Sequence, residues 1–260
     1  MTTDRRDVLK AGIAAAALTG IGAGREPLLG MLMPVADSPV PPEAKAMYPG
    51  GVRFQTESLG LAQMTPDGYD AVLDKIAPAA ERLAKAGATG LMLMGTSLSF
   101  YQGAKFNRAL QERMTKATGK PCSTMSNAVI EGLRKMGAKR VACATAYNED
   151  VSARLARFLT EEGFTVTVVK GLGVVKVEDV NLVTRDQLFK FSAEVFENAP
   201  KSDALLVSCG GLRTLELLDP LEKRIKAPVV SSMPHALRAG VRLVGLTGRS
   251  AGYGRLLATA

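Results

Sequence analysis

Short, continuously apolar runs alternate with longer amphipathic segments along most of the chain, a pattern typical of α/β proteins with buried parallel strands. The apolar runs predict strands at residues 28–34, 52–56, 91–97 (with the turn that follows), 121–124, 140–145, 165–169 and 204–208. The amphipathic segments predict helices at 65–87, 104–118, 150–162 and 185–198, and one more that ends at residue 136. Threonine is a common N-cap residue and proline is common at the first helical position. Thr65 followed by Pro66 therefore predicts the start of the helix at 65–87.

The run at 204–208 ends abruptly at Cys209, Gly210 and Gly211. Open α/β sheets bind their ligands at the carboxyl ends of the strands, so Cys209 is the first candidate for chemistry. The glycines allow the backbone to approach a ligand closely, and their N–H groups can face an anion.

Two segments of the chain repeat one another. Residues 121–128 (PCSTMSNA) are echoed by 228–236 (PVVSSMPHA), and each follows a strand that ends in a small-residue turn, at 94–97 and 208–211. This duplication predicts two similar Rossmann-like α/β lobes with parallel sheets, related by pseudo-twofold symmetry, with the active site in the cleft between them. We expect residues 27–136 plus 237–260 in the first lobe and 137–236 in the second. A doubly wound domain with a single sheet is the alternative.

Residues 1–26 are not expected to belong to the fold. Arg5 and Arg6 precede an uncharged run, rich in alanine and glycine, that is too short and too weakly apolar for a comfortable membrane span. The segment resembles a twin-arginine export signal with cleavage near Ala23, which predicts a periplasmic protein without stable membrane association after processing. An amphipathic or uncleaved extension, and hence a cytoplasmic protein, is the alternative.

The amino-acid composition limits which kinds of ligand and catalytic site the chain can have. The net charge of +8 is spread along polar helix faces without aromatic interleaving, which argues against nucleic acid and leaves small anionic substrates open. The one histidine, His235, is expected to be exposed, and it argues against Ser-His or Cys-His pairs and multi-histidine metal sites. The three cysteines lack CxxC spacing, and Cys122 and Cys143 are expected in the core.

Four loops at strand ends are expected to converge: 34–35, 95–97, 145–147 and 209–211. These loops contain hydroxyl groups, backbone N–H groups and one thiol, but no charged side chain. Such groups are suited to binding a carboxylate or an enediolate. Thr96 and Ser97, taken singly, could equally be helix caps. Together with Tyr147 they favour ligand binding.

Residues 94–101 (MGTSLSFY), 144–147 (ATAY) and 206–212 (LVSCGGL) resemble the arylmalonate decarboxylase family of the aspartate/glutamate racemase superfamily. The resemblance runs from about residue 30 to 256, including 65–72 (TPDGYDAV) and 252–256 (GYGRL). It implies a carboxy-lyase that removes CO2 from α-substituted aryl or alkenyl malonates without cofactor or metal and forms a chiral acid.

The resemblance also implies residue roles. One carboxylate would be held by Thr96, Ser97, Tyr147 and Gly210, and Cys209 would protonate one face of the enediolate. The racemases of the superfamily have a second cysteine where this chain has Gly95, which speaks against racemisation. The implied substrate-binding residues are Gly95, Pro34, Val35, Leu61, Met64, Leu98, Val177 and Val180.

Two pocket positions depart from the family pattern: Val35 replaces a second proline, and Met64 is bulkier than usual. Two other functions stay open: an isomerase or racemase of a small dicarboxylic acid, and an exported carboxylate-binding protein. We expect a monomer or a weak homo-oligomer.

Overall fold

A computed structural model of the protein describes residues 26–199 and 201–260. The predicted export signal lies outside the described residues except for Glu26. The Glu26 carboxylate accepts a hydrogen bond from the Gly51 backbone N–H at 2.8 Å, so this last residue of the predicted extension contacts the fold.

Within the described residues, eight parallel strands form two sheets of four. The strands are β1 (Leu28–Met33), β2 (Arg53–Ser58), β3 (Gly90–Leu93), β4 (Cys122–Thr124), β5 (Arg140–Tyr147), β6 (Thr165–Val174), β7 (Ala204–Ser208) and β8 (Val229–Ser231). Their orders are β2-β1-β3-β4 and β6-β5-β7-β8. Each half therefore repeats one topology, which confirms the two-lobed α/β prediction and excludes the single sheet. The lobe boundaries stay a prediction.

In the part of the chain that the structure describes, ten α-helices cover the sheets. They are α1 (Pro42–Met47), α2 (Pro66–Asp70), α3 (Leu73–Lys85), α4 (Thr96–Phe100), α5 (Ala104–Thr118), α6 (Met125–Lys135), α7 (Glu149–Glu161), α8 (Arg185–Glu197), α9 (Leu218–Ile225) and α10 (Ser232–Leu243). Two 3-10 helices lie at Glu178–Leu182 and Leu215–Leu217. The echoed segments become β4 followed by α6 and β8 followed by α10, in corresponding places of the two halves.

The helix predicted at 65–87 is two helices, α2 and α3. Its start is as predicted, because Thr65 accepts a hydrogen bond from the Gly68 N–H and Pro66 is the first residue. The break falls at Val72, a β-branched residue whose φ of −113° lies outside the helical range. The break leaves α2 as a short separate helix that carries Tyr69.

The prediction that His235 is exposed is wrong. It lies in α10, which is buried over almost its whole length because it packs against α6 and β3. The Nδ1 atom accepts a hydrogen bond from the Ser231 N–H at 3.0 Å, and burial lowers the pKa of His235 to about 4, so the ring is neutral at neutral pH. Cys122 and Cys143 are buried free thiols, as predicted. Within the described residues, no helix combines the length and apolar character needed to cross a bilayer.

Candidate active site

Cys209 follows directly after β7 and is only 7% exposed. Its φ of +155° is one that residues with a side chain rarely adopt. Its sulfur lies 4.0 Å from the thioether sulfur of Met64, a residue of the first lobe. The turn after β7 therefore points the candidate proton donor at the opposite lobe.

Burial sets the protonation state of this thiol. It raises the pKa of Cys209 to about 11, although the backbone N–H groups of Gly211 and Leu212 act in the opposite direction. Cys209 is therefore a neutral thiol at neutral pH, which is the form that can donate a proton.

Thr96 and Ser97 are the first two residues of α4, and Gly95 occupies the cap position. Neither side chain caps the helix, so the alternative reading of these residues as caps is wrong. The Thr96 hydroxyl lies 2.8 Å from Ser232 Oγ and 2.9 Å from Met125 Sδ. Both Thr96 and Ser97 are buried.

Tyr147 is the last residue of β5, two residues beyond the predicted end of that strand. Its hydroxyl lies 3.2 Å from Ser208 Oγ. Burial raises the pKa of Tyr147 well above its usual value, a charge on Cys209 would raise it further, and hydrogen bonding to Ser208 and Thr96 opposes both effects. Tyr147 is therefore a neutral donor whose hydroxyl lies close to Cys209 and Thr96.

Sequence reasoning missed Tyr69, which lies on α2 and is fully buried. Burial raises the pKa of Tyr69, the Ser97 hydroxyl opposes this, and Cys209 is close enough to act on it electrostatically. The Tyr69 oxygen nevertheless makes no hydrogen bond of good geometry. A buried hydroxyl with an unused donor beside the thiol is available to a ligand. The signal was in the sequence, since Tyr69 belongs to the motif at 65–72.

Pro34 and Leu98 pack against Gly95. A Cβ atom at Gly95 would lie 2.8 Å from Pro34 Cγ and 3.0 Å from Leu98 Cβ, so a side chain there requires movement of its neighbours. The position that carries a second cysteine in the racemases is thus packed tightly by apolar groups.

The remaining predicted pocket residues lie where the lobes meet. Leu61 donates its N–H to the Pro34 carbonyl at 2.7 Å, and Met64 donates its N–H to the Val175 carbonyl at 2.8 Å. Val177 returns a hydrogen bond to the Ala62 carbonyl at 3.1 Å. The first of these bonds joins the loops after β1 and β2, and the other two join the loop after β2 in the first lobe to the segment after β6 in the second.

Three further predicted residues lie at the turn after β7 or in the loop after β1. A Cβ at Gly211 would lie 3.0 Å from Val180, which places that valine against the cysteine turn. Gly210 packs against Met125 and the Met94 carbonyl. Val35 follows Pro34 and is half-buried, and its carbonyl accepts a hydrogen bond from Ser38 at 3.3 Å.

A cleft of about 490 Å³ opens between α1 and the loops at 181–185 and 213–216. Its lining includes Glu43, Arg185, Arg213 and Glu216, and Arg185 pairs with Glu216. This charged lining contrasts with the uncharged hydroxyls around Cys209. We therefore assign the candidate active site to the residues around Cys209 and not to this cleft.

The fold and the site define a class of two-lobed α/β protein in which one buried thiol lies among uncharged hydroxyl groups. Residues 29–257 match the model of the family described as arylmalonate decarboxylase. The chain belongs to the arylmalonate decarboxylase family.

Individual relatives agree with this assignment. The chain is 48% identical over 231 residues to an arylmalonate decarboxylase of Bordetella bronchiseptica, covering 88% of this chain and 96% of that protein. One solved structure that matches is a liganded arylmalonate decarboxylase with two substitutions, one glycine to cysteine and one cysteine to serine. Its TM-score is 0.86 at 47% sequence identity, and the match covers 88% of this chain and 98% of that one. The maleate isomerase Iso of Pseudomonas putida S16 shares the fold, with a TM-score of 0.80 at 20% identity over 89% of this chain and 98% of its own.

Proposed function

We propose that this protein decarboxylates α-substituted aryl or alkenyl malonates enantioselectively and without a cofactor. The observation that carries the proposal is the grouping of one neutral, buried thiol with the hydroxyls of Thr96, Tyr147 and Tyr69. Such a group can stabilise developing negative charge without a counter-ion and can also supply one proton.

The retained carboxylate is held by the Thr96, Ser97 and Tyr147 hydroxyls and by the Gly210 backbone N–H. When the bond from the α-carbon to the second carboxylate breaks, its electron pair moves into the retained carboxylate and forms an enediolate. Negative charge on the two bound oxygens increases in this step. Donors already aimed at those oxygens therefore bind the transition state more strongly than the substrate.

The leaving carboxylate is placed among the apolar side chains of Met64, Leu98 and Val180. An anion in such surroundings loses most of its hydration, whereas neutral CO2 does not depend on hydration. Exchanging water for apolar neighbours thus favours the loss of CO2.

The enediolate carbon then takes a proton from the Cys209 thiol, and the resulting thiolate regains a proton from solvent. One acid on one face of a planar intermediate yields a single enantiomer. Isomerisation or racemisation would need a second acid near Gly95, where Pro34 and Leu98 already fill the space.

A substrate panel of aryl-, alkenyl- and alkylmalonates tests the proposal. We expect CO2 release from the aryl and alkenyl compounds and full activity after dialysis against a chelator. Compounds whose α-carbon carries a second substituent should give one product enantiomer by chiral chromatography. Cys209→Ala should abolish turnover, whereas Cys122→Ala, which removes another buried free thiol, should not. Tight carboxylate binding without CO2 release would identify a binding protein instead, and full activity of Cys209→Ala would contradict the assigned proton donor.

We also propose that residues 1–26 direct export to the periplasm by the twin-arginine route. The paired Arg5 and Arg6 before the uncharged run support this. Replacing both arginines with lysine should shift the protein from the periplasmic to the cytoplasmic fraction of cells that produce it. An unchanged distribution would contradict export by this route.

We propose further that the enzyme acts as a monomer or weak homo-oligomer, because both lobes that contribute to the site belong to the same chain. Sedimentation should give a monomer mass at micromolar concentration, and a stable oligomer would contradict the proposal.

A further inference from the structure

Ser232 links the two halves of the site. It is fully buried at the start of α10, and its Oγ lies 2.8 Å from Thr96 Oγ1 and 3.2 Å from the Cys209 backbone nitrogen. One hydroxyl thus contacts both the carboxylate-binding threonine and the backbone of the proton donor.

The hydrogens can be assigned from the donors present. The Cys209 N–H can only donate, so Ser232 Oγ is its acceptor. In the free protein Thr96 Oγ1 also donates to Ser232 Oγ, at 2.8 Å, so Ser232 accepts both hydrogen bonds. A hydroxyl can both donate and accept, so when a bound carboxylate accepts the Thr96 hydrogen, Ser232 can donate its own hydrogen to Thr96 Oγ1 in exchange.

The repeat within the fold shows how this position differs between the halves. Met125 opens α6 after β4 as Ser232 opens α10 after β8. Both side chains contact Thr96 Oγ1, and the thioether of Met125 lies at 2.9 Å. A thioether accepts weakly and cannot donate, so Ser232 alone of the pair can supply a hydrogen to Thr96 Oγ1 once a ligand accepts the Thr96 hydrogen.

We propose that Ser232 is a positioning residue that orients the Thr96 hydroxyl and holds the Cys209 backbone in one arrangement. The inference rests on the proposed function and deepens it. Because the enediolate carries more negative charge than the bound carboxylate, orientation of Thr96 matters more in the transition state than in the substrate complex.

Ser232→Ala and Ser231→Ala form a matched pair. Ser231 is equally buried and accepts a hydrogen bond from Thr214 at 2.9 Å, and its side chain does not cap α10. With phenylmalonate, we expect Ser232→Ala to lower kcat by about 10- to 100-fold with a KM change below about threefold. Ser231→Ala should stay within about twofold of the parent. Equal effects of the two variants would overturn the proposal.

A double-mutant cycle tests whether Ser232→Ala lowers kcat through Thr96. In a Thr96→Val background, Ser232→Ala should cost less than about threefold in kcat, because the hydroxyl it orients is gone. Losses that multiply independently would overturn action through Thr96. Ser232→Cys, which retains a weak donor of similar size, should recover part of kcat, and it serves as the second variant if Ser232→Ala does not fold.

Binding of phenylacetate by calorimetry separates this inference from the proposed function. If the parent protein released no CO2 from any malonate, the proposed function would fail. In that case phenylacetate binding would become the readout for Ser232: binding about two- to threefold weaker in Ser232→Ala than in Ser231→Ala would support its role, and equal binding would overturn it.

Discussion

The thioether sulfur of Met64 lies 4.0 Å from the thiol sulfur of Cys209, across the boundary between the lobes. Met64 is held there by the hydrogen bond from its N–H to the Val175 carbonyl. The side chain therefore occupies space beside the carbon that Cys209 would protonate, and we expect it to limit the size of the substituent there.

Met64→Val should increase kcat/KM for malonates with a bulkier second substituent, relative to phenylmalonate, because it removes the atoms nearest the thiol. The measurement is the ratio of kcat/KM values for the two substrates. Met114→Val is the control, since Met114 is a fully buried methionine of α5. An unchanged ratio in Met64→Val would show that the pocket is limited elsewhere.

Tyr147→Phe should lower kcat by about 100-fold, because loss of one donor to a developing oxyanion typically costs about 3 kcal/mol. Steady-state kinetics with phenylmalonate measures the loss. Tyr48→Phe is the comparison, because it removes a buried hydroxyl that donates to the Gly248 carbonyl at 2.7 Å. That variant should lose stability and keep its kcat, so similar kcat losses in both would argue against a specific role for Tyr147.

Tyr69→Phe should lower activity without lowering stability. The Tyr69 hydroxyl is buried without a hydrogen bond of good geometry, so its removal relieves an unsatisfied group in the free protein. If that donor serves the bound substrate, kcat/KM should fall by about 10-fold while Tm stays the same or rises. A drop in Tm with unchanged kcat/KM would assign Tyr69 a structural role only.

The raised pKa of Cys209 predicts how rate and stability respond to alkali. The rate should stay level through neutral pH and fall as pH approaches the pKa of about 11, because the thiolate cannot donate. In the unfolded chain the thiol ionises near its ordinary pKa of about 8.5. Its contribution to stability is therefore complete below that pH and is lost as pH rises toward about 11.

Denaturation in urea between pH 7 and 10 measures this second effect. The Cys209→Ala variant should lose less stability with rising pH than the parent over the same range. Identical slopes for the two proteins, or a rate that falls already near neutral pH, would contradict a raised pKa.

Gly171→Ala should impair both stability and catalysis. A Cβ at Gly171 would lie 2.0 Å from the Tyr147 carbonyl oxygen, so β5 and β6 must separate where β5 presents Tyr147. Overpacking of this kind costs about 1–3 kcal/mol, and displacement of Tyr147 should reduce kcat as well. Gly50→Ala is the control, because no atom lies within 4 Å of a Cβ there. Denaturant titrations and kcat values of the two variants should differ, and equal values would contradict the predicted clash.

The two-lobed fold and the loops that carry the chemistry can be predicted from the sequence alone. Parallel strands buried on both faces are continuous apolar runs, so the residue that follows each run can be read directly from the sequence. Cys209, Thr96 and Tyr147 were identified in this way. The duplicated segments then predicted the repeat that β4 with α6 and β8 with α10 confirm.

Contacts between side chains from distant segments of the chain are visible only in the folded structure. Thr96 and Ser232 are 136 residues apart in the chain, and Cys209 and Met64 are 145 apart. The burial of His235 depends likewise on α10 packing against the first lobe. Local patterns of apolar and polar residues specify strands and helices, but contacts between lobes arise from how those elements pack, which no single segment encodes.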